Sequence, residues 1–384
     1  MGLQAEARLV ASAWVVSSSL RLVGQAVRPV AERFAVCQLQ AVGRLGYRPA
    51  LDGIRGIAIL LVVGVHCFGI PVGGQLGVDL FFVLSGFLIT SLLLEERAMT
   101  GAISLRGFYR RRAARLIPAL AVVLSAYLVI AAAKGRDGLP EAAASAFYIS
   151  NLVSAFGSTN VIAHSGLRHL WSLAEEEQFY LVWPLLLPFV VRARRPVRLL
   201  AFALGFLVIY RIGLAAAGSS HRRLYGSPDT HMDGLVAGAA VAFLLARRPQ
   251  FVVPKLLVAI SLPVLLEAFL VRVPNVLWDA AGLPIAEAAM VVLLLAALTL
   301  PTFAAVFSTH PLRFFGRISY SLYLWHYVLA WTWGLPHHAW AAAVLSTGIA
   351  YTSTRWLEEP LRARWRKQRP KGSHTRPSTV LTDA

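Results

Sequence analysis

The residues able to do chemistry stand where apolar runs should exclude them. His66 ends the run that opens at Ile54. An imidazole in such a run is costly and titrates near neutrality, which suits a base or a proton shuttle. It equally suits a buried ring bonded to a neighbour. Arg55 lies 11 residues earlier, three helical turns and about 16 Å along the same face. At the edge of the run it can also be a boundary arginine that snorkels. Asp79 follows a short loop and returns to the depth of His66. A carboxylate there can fix the tautomer of an imidazole and raise its basicity. It can equally serve a helix N-terminus.

Two further groups flank other runs. Phe108-Tyr109-Arg110-Arg111-Arg112-Ala113-Ala114-Arg115 is strongly basic. Arg112 and Arg115, one turn apart, can grip a single anionic group, as a phosphorylated cosubstrate would offer. The same run can be a topological anchor. Ser172, Glu176 and Tyr180 are spaced i, i+4, i+8 and form one stripe of a helix that also carries Glu175 and Glu177. One or two carboxylates would satisfy a helix dipole; three adjacent ones and an inward stripe indicate a site.

The elements that position these residues are membrane helices. Hydrophobic residues make up 57% of the chain and charged residues 15%, with mean hydropathy +0.62. A soluble domain is about 45–50% apolar and about 25% charged, so this chain requires lipid as part of its solvent. The abundance of aliphatic and aromatic residues excludes disorder for most of the length. Cys37 and Cys67 lack the spacing of a disulfide scaffold or a structural zinc site, and no metal is expected. The net charge of +18 is nearly all arginine at the ends of apolar runs. That is the membrane pattern and not the footprint of a nucleic-acid binder.

Eleven apolar runs are candidate spans. With residues 1–53 cytoplasmic and the run 140–156 not crossing, 27 basic residues fall inside and 6 outside. If 140–156 crosses, the count becomes 16 against 17. The excess of lysine and arginine on cytoplasmic loops favours the first arrangement. The fold class expected is therefore all-α: a polytopic protein of the cell membrane with about ten transmembrane helices, one interfacial or re-entrant helix, and both termini cytoplasmic. Residues 1–46 read as an amphipathic or flexible cytoplasmic segment, 47–360 as the membrane domain, and 361–384 as a basic, disordered tail. No second, extracytoplasmic domain is expected after the spans.

The strings LDGIRGIAILLVVGVH (51–66), GVDLFFVLSGFLIT (77–90), FYRRRAARLIP (108–118), HLWSLAEEEQFYLVWP (169–184), GRISYSLYLWH (316–326) and RWLEEPLR (355–362) stand in this order. Together they resemble the membrane-bound acyltransferase 3 family, from about Tyr47 to Arg366. The resemblance implies a ten-span fold that transfers an acyl group, typically from acyl-CoA, to a hydroxyl. Acceptors would be envelope glycans, lipid-linked sugars or macrolide-type metabolites. The family's arginine-to-histidine motif falls on Arg55 and His66, its arginine pair on Arg112 and Arg115, and its serine–glutamate motif on Ser172 and Glu176, with Glu177 next. Two departures are visible. Position 175 is Glu where a small or aliphatic residue is more usual, which leaves open which of Glu175, Glu176 and Glu177 is functional. The segment Asp229–Gly234 only loosely matches one that often carries arginine.

The mechanism expected is a single displacement. His66 would take the proton of the attacking hydroxyl, oriented by Asp79 or Glu176. Tyr180, Ser172 or backbone amides would face the developing oxyanion. Arg55, Arg111, Arg112 and Arg115 would hold the phosphates of CoA, a cosubstrate and not a resident cofactor. The rival class is a transporter or flippase of a glycolipid or metabolite, which also places charges in its spans but needs no proximate histidine–carboxylate pair.

Overall fold

The computed structural model describes residues 46–157, 165–270, 276, 278–333, 338–361 and 363. Among the described residues the chain is all helical, without strands. The expected N-terminal segment and basic tail lie essentially outside them.

Helix α1 (Pro49–Val63) starts on a proline, whose fixed φ suits the first turn. It runs into a π-helical turn, Gly64–Phe68, closed by Gly69 at φ 71°. Such single-turn insertions are rare and recur at functional sites; this one carries His66. Next come α2 (Gly77–Thr100) and α3 (Leu105–Ala133). Ser104 caps α3 by accepting the Gly107 N–H at 3.2 Å.

Residues 139–156 then form two short helices, α4 (Leu139–Ala146) and α5 (Ser150–Phe156). A span needs about 20 residues, so neither helix is long enough to cross. Between them Tyr148 takes a positive φ of 54°. The chain continues through α6 (Trp171–Arg192), α7 (Pro196–Ala216), α8 (His221–Tyr225), α9 (Pro228–His231) and α10 (Asp233–Arg247). It ends with α11 (Lys255–Leu270), α12 (Leu283–Thr299), α13 (Pro301–Phe307), α14 (His310–Trp333) and α15 (Ala339–Ser353).

Helices α1 and α14 set the centre of the molecule, and their glycines explain how closely they pack. A Cβ on Gly56 would lie 2.0 Å from the Leu312 carbonyl oxygen, and one on Gly316 would lie 1.7 Å from that of Asp52. Small residues let helix backbones meet in membranes, where packing and not water drives association. The pairs Arg55–Ser319 and His66–His326 show that the two helices run in the same direction.

Among the described residues, five helical stretches are long and apolar enough to cross a bilayer: Pro49–Phe68, Gly74–Thr100, Leu105–Ala133, Pro196–Ala216 and Trp278–Thr299. The sequence expects about ten, and the reasons for the shortfall are local. Helix α6 has 22 residues but carries Glu175, Glu176 and Glu177. Helices α10, α11 and α15 have 15, 16 and 15 residues. The apolar exterior agrees with a membrane protein: on α7, Phe202, Phe206 and Ile209 are about 70% exposed and need lipid beside them.

Candidate active site

The site is built on α1, α2, α3, α6 and α14. His66, half-buried on the π-turn, places Nδ1 2.9 Å from Nε2 of His326 on α14. His326 Nδ1 lies 2.8 Å from the Tyr323 carbonyl oxygen and 3.1 Å from that of Leu322. Carbonyl oxygens only accept, so His326 Nδ1 carries a hydrogen. With that ring neutral, its Nε2 accepts, and His66 Nδ1 donates. The hydrogen-bond network thus assigns His66 the tautomer whose Nε2 holds a lone pair, and Nε2 has no partner among the described residues. Rings enclose the pair: Tyr327 stands edge-on to His66 at 5.0 Å, and His169 lies 5.2 Å from His326.

A cavity of about 240 Å³ lies beyond Tyr323, and neither His66 nor His326 is among its lining residues. Arg55, Arg112, Arg115, Glu176, Glu177, Tyr180, Ser172, Ser85, Ser319 and Tyr323 line it, with apolar side chains of α2 between them. Tyr323 connects the cavity to the histidines. Its hydroxyl donates to the His169 carbonyl at 2.5 Å and lies 2.6 Å from Ser172 Oγ, while its own carbonyl holds His326.

The three adjacent glutamates point three ways, as successive helical residues must, being about 100° apart. Glu176 enters the cavity and accepts hydrogen bonds from Ser85 and Tyr180. Glu177 pairs with Arg112 at 3.0 Å. Glu175 is fully buried on another side, 3.4 Å from His231 Nδ1. His231 belongs to the loosely matching segment 229–234, so the two departures from the family pattern touch each other.

Most of the expected residues converge. Arg55 donates to Ser319 at 3.1 Å, and Arg112 lies over the Tyr180 ring, 3.6 Å from its centroid. Three expectations need correction. Asp79 does not orient His66: its oxygens accept from His231 at 2.8 Å and Tyr225 at 3.2 Å. Nor does Glu176, which is held by Ser85 and Tyr180; the orienting group is His326. Arg111 does not face the cavity. It is largely exposed and paired with Glu96 at 2.9 Å, because it is adjacent to Arg112 and so turned away from it. Tyr180 lines the cavity, but its hydroxyl is committed to Glu176.

His326, Tyr323, Ser85 and Ser319 were not singled out in the sequence. His326 had a usable signal, since it is a histidine in the apolar part of α14.

The model of a family described as an acyltransferase domain matches residues 48–355. The chain belongs to this acyltransferase 3 family. Its relatives in that family include the peptidoglycan O-acetyltransferase OatA of Listeria monocytogenes, 33% identical over 350 residues. That match covers 82% of this chain and 56% of the relative. The O-acetyltransferase OatA of Staphylococcus aureus is 33% identical over 349 residues, covering 82% of this chain and 57% of the relative. The acyltransferase chain thus spans little more than half the length of these curated relatives. No solved structure matches it.

Proposed function

We propose that this chain is a membrane O-acyltransferase that moves an acyl group from acyl-CoA to a hydroxyl of a sugar-containing acceptor. The observation that carries this reading is the His66–His326 pair, which leaves one imidazole lone pair open and is joined through Tyr323 to a cavity lined by arginines. His66 Nε2 removes the proton of the acceptor hydroxyl as that oxygen attacks the thioester carbonyl. The C–S bond breaks, the thiolate of CoA leaves, and the proton returns from His66 to the sulfur. Arg112 and Arg115 hold phosphates of CoA, together with Arg55, which lines the same cavity. Ser172 turns its hydroxyl from the Tyr323 oxygen toward the developing oxyanion, while Tyr323, whose own hydrogen is committed to the His169 carbonyl, holds it in place. Glu176 fixes Tyr180, and Glu177 fixes Arg112.

The acceptor class is an envelope glycan, lipid-linked sugar or macrolide-type metabolite. The Listeria relative, a peptidoglycan O-acetyltransferase, supports the glycan among these. The topology proposed has ten crossings and both ends cytoplasmic, so that donor and acceptor meet from opposite sides. The distribution of arginine, the two short helices within 139–156 and the shared direction of α1 and α14 support it.

The test is release of free thiol from acetyl-CoA by the purified, detergent-solubilised protein, with mass spectrometry of glycan acceptors run in parallel. Thiol release matched by an acetyl mass gain on the acceptor is the expected result. A protein that releases no thiol with any acceptor, yet carries a glycolipid across liposomes, overturns the reading.

A further inference from the structure

The residues that replaced Asp79 in the expected active site suggest a second function for it. On the far side of α2 from the cavity, Asp79, His231 and Glu287 are buried, and each offers one donor atom within 4.8 Å of the others. They come from α2, α9 and α12. The geometry points to a structural divalent-cation site, with Asp79, His231 Nε2 and Glu287 as ligands and a borderline ion such as Zn²⁺ or Mn²⁺ as occupant.

A cation would offset the charge of this cluster. Glu175 and Asp233 are also buried here, so four carboxylates share the space with one arginine and one histidine. Arg211 pairs with Asp233 at 2.7 Å. That leaves three carboxylates around His231. With all three ionised the cluster would carry a net deficit of positive charge even with His231 charged, and buried carboxylates meet such a deficit by taking up protons or by binding a cation. Two observations beyond the cluster's composition point to an ion. First, Glu287 Oε1 is buried without a hydrogen-bond partner among the described residues, on the carboxylate that converges with Asp79 and His231. Second, His231 Nδ1 faces Glu175 Oε2 at 3.4 Å. A metal-bound imidazole characteristically gives its other N–H to a carboxylate, which fixes its tautomer and orientation. Glu175 stands at that position.

The donor set is one imidazole and two carboxylates, a mixture that suits zinc or manganese more than magnesium or a soft ion. Asp79 Oδ1 and His231 Nε2 are now 2.8 Å apart and share a proton. Donors on one ion with bonds of about 2.1 Å stand roughly 3–3.5 Å apart. A small separation therefore admits the ion and releases the proton. Phe82 and Trp171 pack on the His231 ring at 5.4 and 5.6 Å and keep the site dry. No spacing in the sequence announces the site, since its ligands lie at 79, 231 and 287. The ion would tie α2, the α9–α10 junction and α12 together behind the cavity wall that carries Ser85.

The experiment is metal analysis of the full chain by mass spectrometry, with any purification tag removed. It is done as isolated, after chelation, and after reloading with Zn²⁺ or Mn²⁺. The expected result is close to one ion per chain in the wild type and in His66→Ala, which leaves the catalytic reading out of the question. Glu287→Gln, which is isosteric, and His231→Ala should fall at least tenfold in occupancy. Reloading should raise the thermal midpoint of the wild type but not of Glu287→Gln. A wild type that takes up neither ion, with a thermal midpoint indifferent to chelator, overturns the proposal. So does an ion retained unchanged in both variants, because it then sits elsewhere.

Discussion

At the scale of the residue, the account rests on a chain of donors and acceptors: carbonyl, His326, His66, open lone pair. His326 acts through His66 and is a positioning residue. His326→Ala should lower kcat about tenfold or more and leave the KM for acyl-CoA near its wild-type value. His326→Gln, which can still accept from His66 Nδ1, should recover part of the loss. A purely structural role would lower both variants equally and reduce the folded yield, so kcat, KM and thermal midpoint are measured together. The arginines are tested by the donor they hold. A charge-assisted bond to phosphate is about twice as strong as a neutral one, and arginine can make two in parallel. Arg112→Ala and Arg115→Ala should raise the KM for acyl-CoA while changing it little for acyl-pantetheine, which lacks the nucleotide. Arg→Lys should recover only part, because the fork is lost. Equal losses for both donors would mean that these arginines serve the fold.

At the scale of the element, close contact between α1 and α14 holds Arg55 on Ser319 and His66 on His326. Gly316→Ala would put a Cβ against the Asp52 carbonyl oxygen, a backbone atom that cannot swing aside. Overpacking of this kind costs typically 1–3 kcal/mol. Thermal unfolding in detergent should show a lower midpoint, and activity should fall with it. An unchanged midpoint would show that the two helices are not packed this tightly. The sequence made one half of this arrangement legible. An arginine, a histidine and three glutamates in apolar runs identify themselves by their cost, and the stripe of Ser172, Glu176 and Tyr180 follows from helical spacing. Partners distant in sequence were not legible. His66 and His326 are 260 residues apart, and Asp79 and His231 are 152 apart. Periodicity within one helix says nothing about which face meets which neighbour. Asp79 was therefore given the nearest imidazole in sequence rather than the one that the packing supplies. The π-turn under His66 likewise leaves no mark in a pattern read at 3.6 residues per turn.

At the scale of the whole molecule, the proposed reaction would bring donor and acceptor to one cavity from two aqueous sides. The run 140–156 decides the topology, because its crossing would invert every later segment. Its division into helices of 8 and 7 residues fits a segment that lies on or dips into the outer face. A cysteine placed beside Arg195 should be shielded from an impermeant thiol reagent added to intact cells and should react once the membrane is opened. Ready labelling in intact cells would reverse the assignment of donor and acceptor sides.

The most direct test of the central claim is the steady-state rate of acyl transfer from acyl-CoA to a hydroxyl acceptor by purified His66→Ala, with the KM for acyl-CoA measured alongside. Loss of an acid–base residue typically lowers turnover 10²–10⁴-fold. The account predicts a fall in kcat of about that size, with KM and thermal midpoint near those of the wild type. Turnover close to that of the wild type would contradict it.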